Sequence, residues 1–242
     1  MKAIILAAGR GSRMRGLTDE RPKCLVELDG RPLLARQVEA LKAGGIDEIA
    51  LVTGYRRNML KGWADIEFHN PRWAETNMTT SLAEASAWLE AEPCIVSYSD
   101  IFYEASAVKS LTDCKADLAI CYDPNWLRIW TERFEDPLID AETFRLGPDN
   151  ELLEIGNKPK VLAEVEGQYM GLLRFTPAGW AEVNAVRASL SAQSRDRLQL
   201  TGALQLVISR GRVPVVAVPY HGIWGEVDSE ADLRLYEAMA QS

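Results

Sequence analysis

Residues 2–23, KAIILAAGRGSRMRGLTDERPK, constrain the chain more than any other stretch. The apolar run Ala3 to Ala8 has strand composition and ends directly on Gly9 and Gly11, so a buried strand runs into a flexible turn. Arg10, Arg13, Arg15 and, after Pro22, Lys23 follow. Glycine lets a backbone approach a ligand closely and turn its amides toward it, while the basic side chains add full charge, so the stretch suits a polyphosphate. Spacing excludes two commoner motifs. A dinucleotide fingerprint needs a third glycine where Met14 stands, and a Walker loop needs a Gly-Lys pair followed by Ser or Thr. The plain alternative is a basic turn entering a surface helix.

The rest of the chain has the rhythm of a parallel sheet. Leu33, Leu34, Val38 and Leu41 recur at helical spacing before Gly44-Gly45, and a strand over Glu48 to Thr53 follows at once. Tyr55 to Trp63 reads as a helix, Ile66 to His69 as a strand, Leu82 to Glu90 as a helix and Cys94 to Tyr98 as a strand. Further strands are expected at Leu152 to Ile155, Val165 to Phe175 and Val213 to Pro219. The fold class is therefore α/β, a three-layer, Rossmann-like, mostly parallel sheet with helices on both faces. With 242 residues, 47% hydrophobic and 26% charged, one domain over 1–242 accommodates the whole pattern. The segment from Asp123 to Gly171, rich in charge and aromatics, reads as a lid.

Net charge is −8, from 27 basic against 35 acidic residues, which gives a nucleic-acid partner no encouragement and leaves the basic loop to a small anionic ligand. Cys24, Cys94, Cys114 and Cys121 lack zinc-type spacing and read as reduced, buried thiols of a cytoplasmic protein. Met1 stands almost directly on the first strand, leaving no room for a signal peptide, and no apolar run approaches the ~20 residues that span a bilayer. No membrane partner is expected.

Asp100 stands at the carboxyl end of a strand, the edge where open α/β sheets bind ligands, and a carboxylate there either holds magnesium or merely caps a turn. Ser229 and Asp232 have the spacing of a capping box, which leaves Asp228 before them for chemistry. Trp126, Trp130 and Phe134 recur at helical spacing with Arg128 and Arg133 among them. Such a stripe either packs inward as lid core or lines a pocket.

Leu6, Ala7, Ala8 and Gly9, through Gly11, Ser12 and Arg13, to Thr18, Pro22 and Lys23, resemble the signature of nucleotidyltransferases that activate sugar phosphates and related compounds. The resemblance implies the nucleotide-diphospho-sugar transferase fold, with Leu6, Ala8, Gly9, Gly11 and Ser12 at the nucleotide. It implies that Arg13 and Lys23 stabilise the triphosphate and the leaving pyrophosphate. Carried over in the same way, Asn77, Met78, Thr80 and Ser81 meet the base and ribose, and Lys158 the acceptor phosphate. Asp100 and Asp228 become the magnesium ligands, with Glu226 a weaker candidate.

Asn77-Met78, Tyr98-Ser99-Asp100-Ile101, Asp123 with the tryptophans after it, Glu166 to Gly171, and Glu226 to Ser229 narrow the resemblance. They are similar to cytidylyltransferases acting on small phosphorylated non-sugars, namely phosphoglutamine, in capsule assembly, phosphocholine and 2-aminoethylphosphonate. The implied substrates are CTP and a small phosphorylated acceptor. Acceptor candidates are Asp123, Trp126, Arg128, Trp130, Arg133, Gln168 and Tyr169. Arg128 or Arg133 would read a carboxylate, whereas Trp126 or Trp130 with Asp123 would enclose a quaternary ammonium, and both remain open. Two other readings stand beside this one: a sugar-1-phosphate nucleotidyltransferase using UTP, dTTP or GTP, and a non-catalytic regulatory subunit of the same fold.

Overall fold

The computed structural model describes residues 1–240, with the side chains of Ser12, Arg13, Arg15 and Ala240 outside the described residues. Strands form on the apolar runs: β1 (Lys2–Ala7), β2 (Glu27–Leu28), β3 (Arg31–Pro32), β4 (Glu48–Thr53), β5 (Ile66–His69), β6 (Cys94–Tyr98) and β7 (Ile101–Tyr103). They continue with β8 (Leu118–Asp123), β9 (Phe144–Leu146), β10 (Leu152–Ile155), β11 (Gln168–Phe175), β12 (Val215–Pro219) and β13 (Trp224–Glu226). The helices are α1 (Leu33–Ala43), α2 (Met78–Ala83), α3 (Ser86–Leu89), α4 (Ala105–Asp113), α5 (Leu127–Arg133), α6 (Pro177–Ser189), α7 (Ala192–Arg197), α8 (Leu200–Arg210) and α9 (Glu230–Ala240).

The central sheet has seven strands in the order β12-β8-β11-β6-β1-β4-β5. All run parallel except β11, which is antiparallel to both its neighbours, β6 and β8. Strands β1, β6 and β8 are buried on both faces, which is why they read as continuous apolar runs rather than alternating ones. One helical layer contains α1 packed on α4, and another contains α6 packed on α8. All four cysteines are free thiols. Among the described residues, no helix is long and apolar enough to cross a membrane.

Two expected helices differ. Tyr55 to Trp63 holds only a 3-10 turn over Arg57–Leu60, because Arg56 adopts φ 49° and Gly62 φ 81°, and these left-handed residues break the run. The helix expected over Leu82 to Glu90 begins earlier, at Met78, and splits into α2 and α3. Asn77 caps it, its side-chain oxygen accepting from Met78 N–H at 2.8 Å.

Between β8 and β11 the chain builds α5 and the β9–β10 ribbon, the expected lid. Its aromatic stripe packs inward. Trp130 is fully buried, its ring 6.1 Å from Trp224, and Trp126 is buried with its indole N–H donating to Val165 C=O at 3.2 Å. Trp126 and Trp130 are therefore lid core and not acceptor contacts, since neither ring face is open to a ligand.

Candidate active site

The site is assembled at the carboxyl edge of β1 and β6. Leaving β1, the chain turns at Gly11, whose φ of 70° favours glycine and whose Cβ, if present, would lie 2.8 Å from the Lys23 stem. That close approach lets Lys23 run inward. Its ammonium, on a side chain only 8% exposed, donates to Asp100 at 2.8 Å and also to Asp228. Burial works against the charge, but the two carboxylates outweigh it and hold Lys23 above the ordinary lysine value.

Two short strands bring the carboxylates together. β7 pairs antiparallel with β13, placing Ile101 opposite Glu226, and Val227 N–H donates to Asp100 C=O at 2.9 Å. Gln37, buried on α1, braces the turn before β7 by donating to the carbonyls of Tyr98 at 2.8 Å and Ile101 at 2.5 Å. Asp100, Glu226 and Asp228 each present a ligand oxygen, and these oxygens lie within 4.8 Å of one another. Burial together with the charges of Asp228 and Asp100 pushes the Glu226 carboxyl up to about 8. Asp100 Oδ1 is buried without a hydrogen-bond partner. Three hard oxygen donors and one orphaned carboxylate oxygen suit a divalent cation of the magnesium class.

Arg133, a sequence candidate for the acceptor, does other work. Its side chain is 0% exposed, its Nε donates to Asp232 Oδ1 at 2.7 Å, and Nη1 lies 3.6 Å from Glu226. The guanidinium stacks over the rings of Trp130 and Phe134 at 4.7 and 5.0 Å. Asp232 in turn accepts from the backbone N–H groups of Asp228 at 3.0 Å and Ser229 at 2.8 Å, completing the capping box of α9. Arg133 thus braces the carboxylate edge from beneath. Burial opposes its charge, and Asp232 and Glu226 more than restore it.

Beside the carboxylates opens a cavity of about 350 Å³. Gln168, Tyr169 and Met78, all expected site residues, line it together with Glu226 and Asp228. Tyr98, Asp140, Glu142, Gln199 and Thr201 line it too, none of them a site candidate from the sequence. The signal for two of these existed in Asp140-Ala141-Glu142-Thr143, where buried Ala141 and Thr143 alternate with the acids as in extended chain.

Other candidates lie elsewhere. Lys158 is exposed and donates to the carbonyls of Leu138 and, at 2.6 Å, Ile139, so it clamps the lid backbone and does not line the cavity. Asp123 is buried and accepts from Trp224 Nε1 at 2.9 Å and from Asn125 N–H at 2.7 Å. It and Arg128 border a separate depression near His221. On the nucleotide side, Leu6 in β1 and Ala8 just past its end are buried, and Ala8 C=O already accepts from Tyr55 N–H at 2.9 Å. Gly9 is exposed, with open space where a Cβ would stand. Asn77 is held to α7, its N–H donating to Asp196 C=O at 2.7 Å, while Ser81 accepts from Asn70 at 3.0 Å and the Thr80 hydroxyl is buried without a partner. The side chains of Ser12 and Arg13 lie outside the described residues.

A glycine loop, a buried lysine between acidic residues and an adjoining cavity are the parts of a polyphosphate-handling site, and residues 3–141 match the model of the MobA-like NTP transferase domain. The chain belongs to that family. It is a nucleotidyltransferase. This transferase is 36% identical to the CTP:phosphoglutamine cytidylyltransferase of Campylobacter jejuni, over 97% of its own length and 98% of the relative's. It is 27% identical to the UTP–glucose-1-phosphate uridylyltransferase of Haloferax volcanii over 100% of this chain and 99% of that one. The inositol-1-phosphate CTP transferase of T. maritima shares the fold with a TM-score of 0.78 at 23% identity, the match covering 99% of this chain and 95% of that one.

Proposed function

We propose that this transferase moves CMP from CTP to a small phosphorylated non-sugar acceptor of the phosphoglutamine type and releases pyrophosphate. The observation that carries the reading is the cluster of Lys23, Asp100, Glu226 and Asp228, of which Glu226 and Asp228 line a cavity sized for a small molecule. The full-length likeness to a cytidylyltransferase supplies the nucleotide and the acceptor class.

An acceptor phosphate or phosphonate oxygen is anionic near neutral pH and needs no general base, so positioning and charge neutralisation carry the chemistry. The oxygen attacks the α-phosphorus opposite the departing pyrophosphate. Lys23, held above the ordinary lysine value, stays cationic throughout and offsets charge on the phosphates. The open backbone at Gly9 admits the triphosphate, and Arg13 would meet the pyrophosphate as it leaves. Asp100, Glu226 and Asp228 would hold magnesium. Bound there, the ion supplies positive charge against phosphate oxygens.

The test is pyrophosphate release with magnesium, pairing CTP, UTP, GTP, ATP and dTTP with phosphoglutamine, phosphocholine, 2-aminoethylphosphonate and glucose 1-phosphate. Turnover confined to CTP and a non-sugar acceptor supports the proposal. Turnover of UTP with glucose 1-phosphate would instead favour the second reading, which the full-length match to a uridylyltransferase keeps in play.

A further inference from the structure

We propose that Thr79 is a positioning residue: its buried hydroxyl ties the segment carrying Met78 to the segment carrying Gln199 and Thr201, and so sets a wall of the cavity against which substrate is held. The inference rests on the transferase reading of the cavity and not on the choice of nucleotide. Met78, Gln199 and Thr201 all line that cavity. Thr79 and its partner Leu198 are 119 residues apart in the chain, so nothing local keeps the two segments together.

The segments meet along a seam of hydrogen bonds. Asn77 N–H donates to Asp196 C=O at 2.7 Å, and its side-chain amide donates to Arg197 C=O at 3.4 Å. Two residues further on, the Thr79 hydroxyl donates to Leu198 C=O at 2.7 Å. The Arg72 guanidinium forks onto the Asp196 carboxylate, with Nη1 at 3.3 Å. Met78 therefore stands between two tied residues, and Gln199 follows directly on the carbonyl that Thr79 engages. Leu198 packs against the core and Leu200 is fully buried, which fixes the extended Gln199 between them, at φ −77° and ψ 162°, before α8.

Within this seam Thr79 is the bond that water cannot replace. Asn77 already caps α2, so the helix start does not call on the Thr79 hydroxyl. Thr79 is fully buried, whereas the Arg72 side chain is 52% exposed and its ion pair with Asp196 is weakened by solvent. Without the hydroxyl, the Leu198 carbonyl loses its donor and the two sides of the wall are free to part. Small misplacements of a binding wall are felt strongly by a ligand held in a fixed pose. The carboxylate cluster is braced from elsewhere, by Gln37 and by Arg133, so the seam serves binding rather than the chemical step.

The experiment is steady-state kinetics of the full chain on the nucleotide and acceptor pair that the wild type turns over fastest. It compares Thr79→Val, which keeps the shape and deletes the hydroxyl, with Thr79→Ser, which restores the hydroxyl. Thr79→Val should raise the KM of both substrates by roughly 5- to 10-fold, the worth of one hydrogen bond, with kcat within about threefold of wild type. Thr79→Ser should return both KM values to within about twofold, and Arg72→Met should move them by no more than that. Unchanged KM values with only a lowered melting temperature, or a serine variant as impaired as the valine one, overturn the inference, because a merely structural threonine answers in that way. A fall in kcat at unchanged KM, or a larger effect from Arg72→Met than from Thr79→Val, overturns it too. Should the valine variant not fold, Thr79→Ala, which leaves room for water at the Leu198 carbonyl, takes its place under the same criteria. Turnover of UTP with glucose 1-phosphate would refute the cytidylyltransferase reading and leave the Thr79 comparison to be decided on that pair.

Discussion

The floor of the site and its lid use charge in opposite ways. On the floor, the cation Lys23 is buried between Asp100 and Asp228. On the lid, the cations face away: Arg133 is sealed beneath the carboxylate edge against Asp232, and Lys158 binds lid carbonyls, while the acids Asp140 and Glu142 face the cavity. In each region burial and the nearest partner, not the sign of the side chain, decide where a charge is held.

The comparison breaks first at the floor. Asp100→Ala should cut magnesium-dependent pyrophosphate release by roughly 10²- to 10³-fold while the circular dichroism spectrum is retained, the scale of losing a main electrostatic stabiliser of the transition state. A variant within threefold of wild type would move the chemistry elsewhere. Next comes Arg133→Met, which strands Asp232 and removes a buried partner. It should cost about 3–5 kcal/mol of stability in chemical denaturation. A normal melting curve with a raised acceptor KM would instead make Arg133 a ligand contact, and lid and floor would be alike.

A titration of the metal-free enzyme sharpens the same contrast. Glu226 has a folded value raised to about 8, so the folded state keeps a proton that the unfolded chain releases near ~4.3. Its stabilising contribution is complete at low pH and is lost as pH rises toward 8. In chelator, the melting temperature should fall across that window, and Glu226→Gln should flatten the slope. Asp232, held low by Arg133 despite burial, has the opposite sign, its contribution fading only in acid. The smallest effect is expected from Lys158→Ala, about a twofold change in kcat/KM at most, as for an ordinary surface substitution. A loss of a hundredfold would return Lys158 to the acceptor phosphate.

Much of the floor was legible because its determinants are local. A strand ending on glycines, the run into Lys23 and the Ser229–Asp232 box are each read within a few residues, and strands such as Glu48–Thr53 and Ile66–His69 stand where their apolar runs placed them. The lid was harder. Trp126, Trp130 and Arg133 have the chemistry of ligand contacts, and only the packing of α5 against α9 and Trp224 shows that they are enclosed. Asp140 and Glu142 are not site candidates in the sequence, since their place at a cavity depends on the lid's return to β11. Arg56 broke a helix through a backbone angle that side-chain periodicity does not record.

The bond from Lys23 to Asp228 spans 205 residues of chain, and that to Asp100 spans 77. Contacts of such range form late, because the intervening chain must first be ordered. A chain emerging during synthesis therefore presents its glycine loop and first aspartate long before β13 and Asp228 exist. Until that final segment docks, the lysine has half its partners and the cation site one carboxylate of three. On the proposed reading of this cluster, competence to react waits for β13 and Asp228, and the appearance of activity in a refolding time course reads out the closing step of assembly.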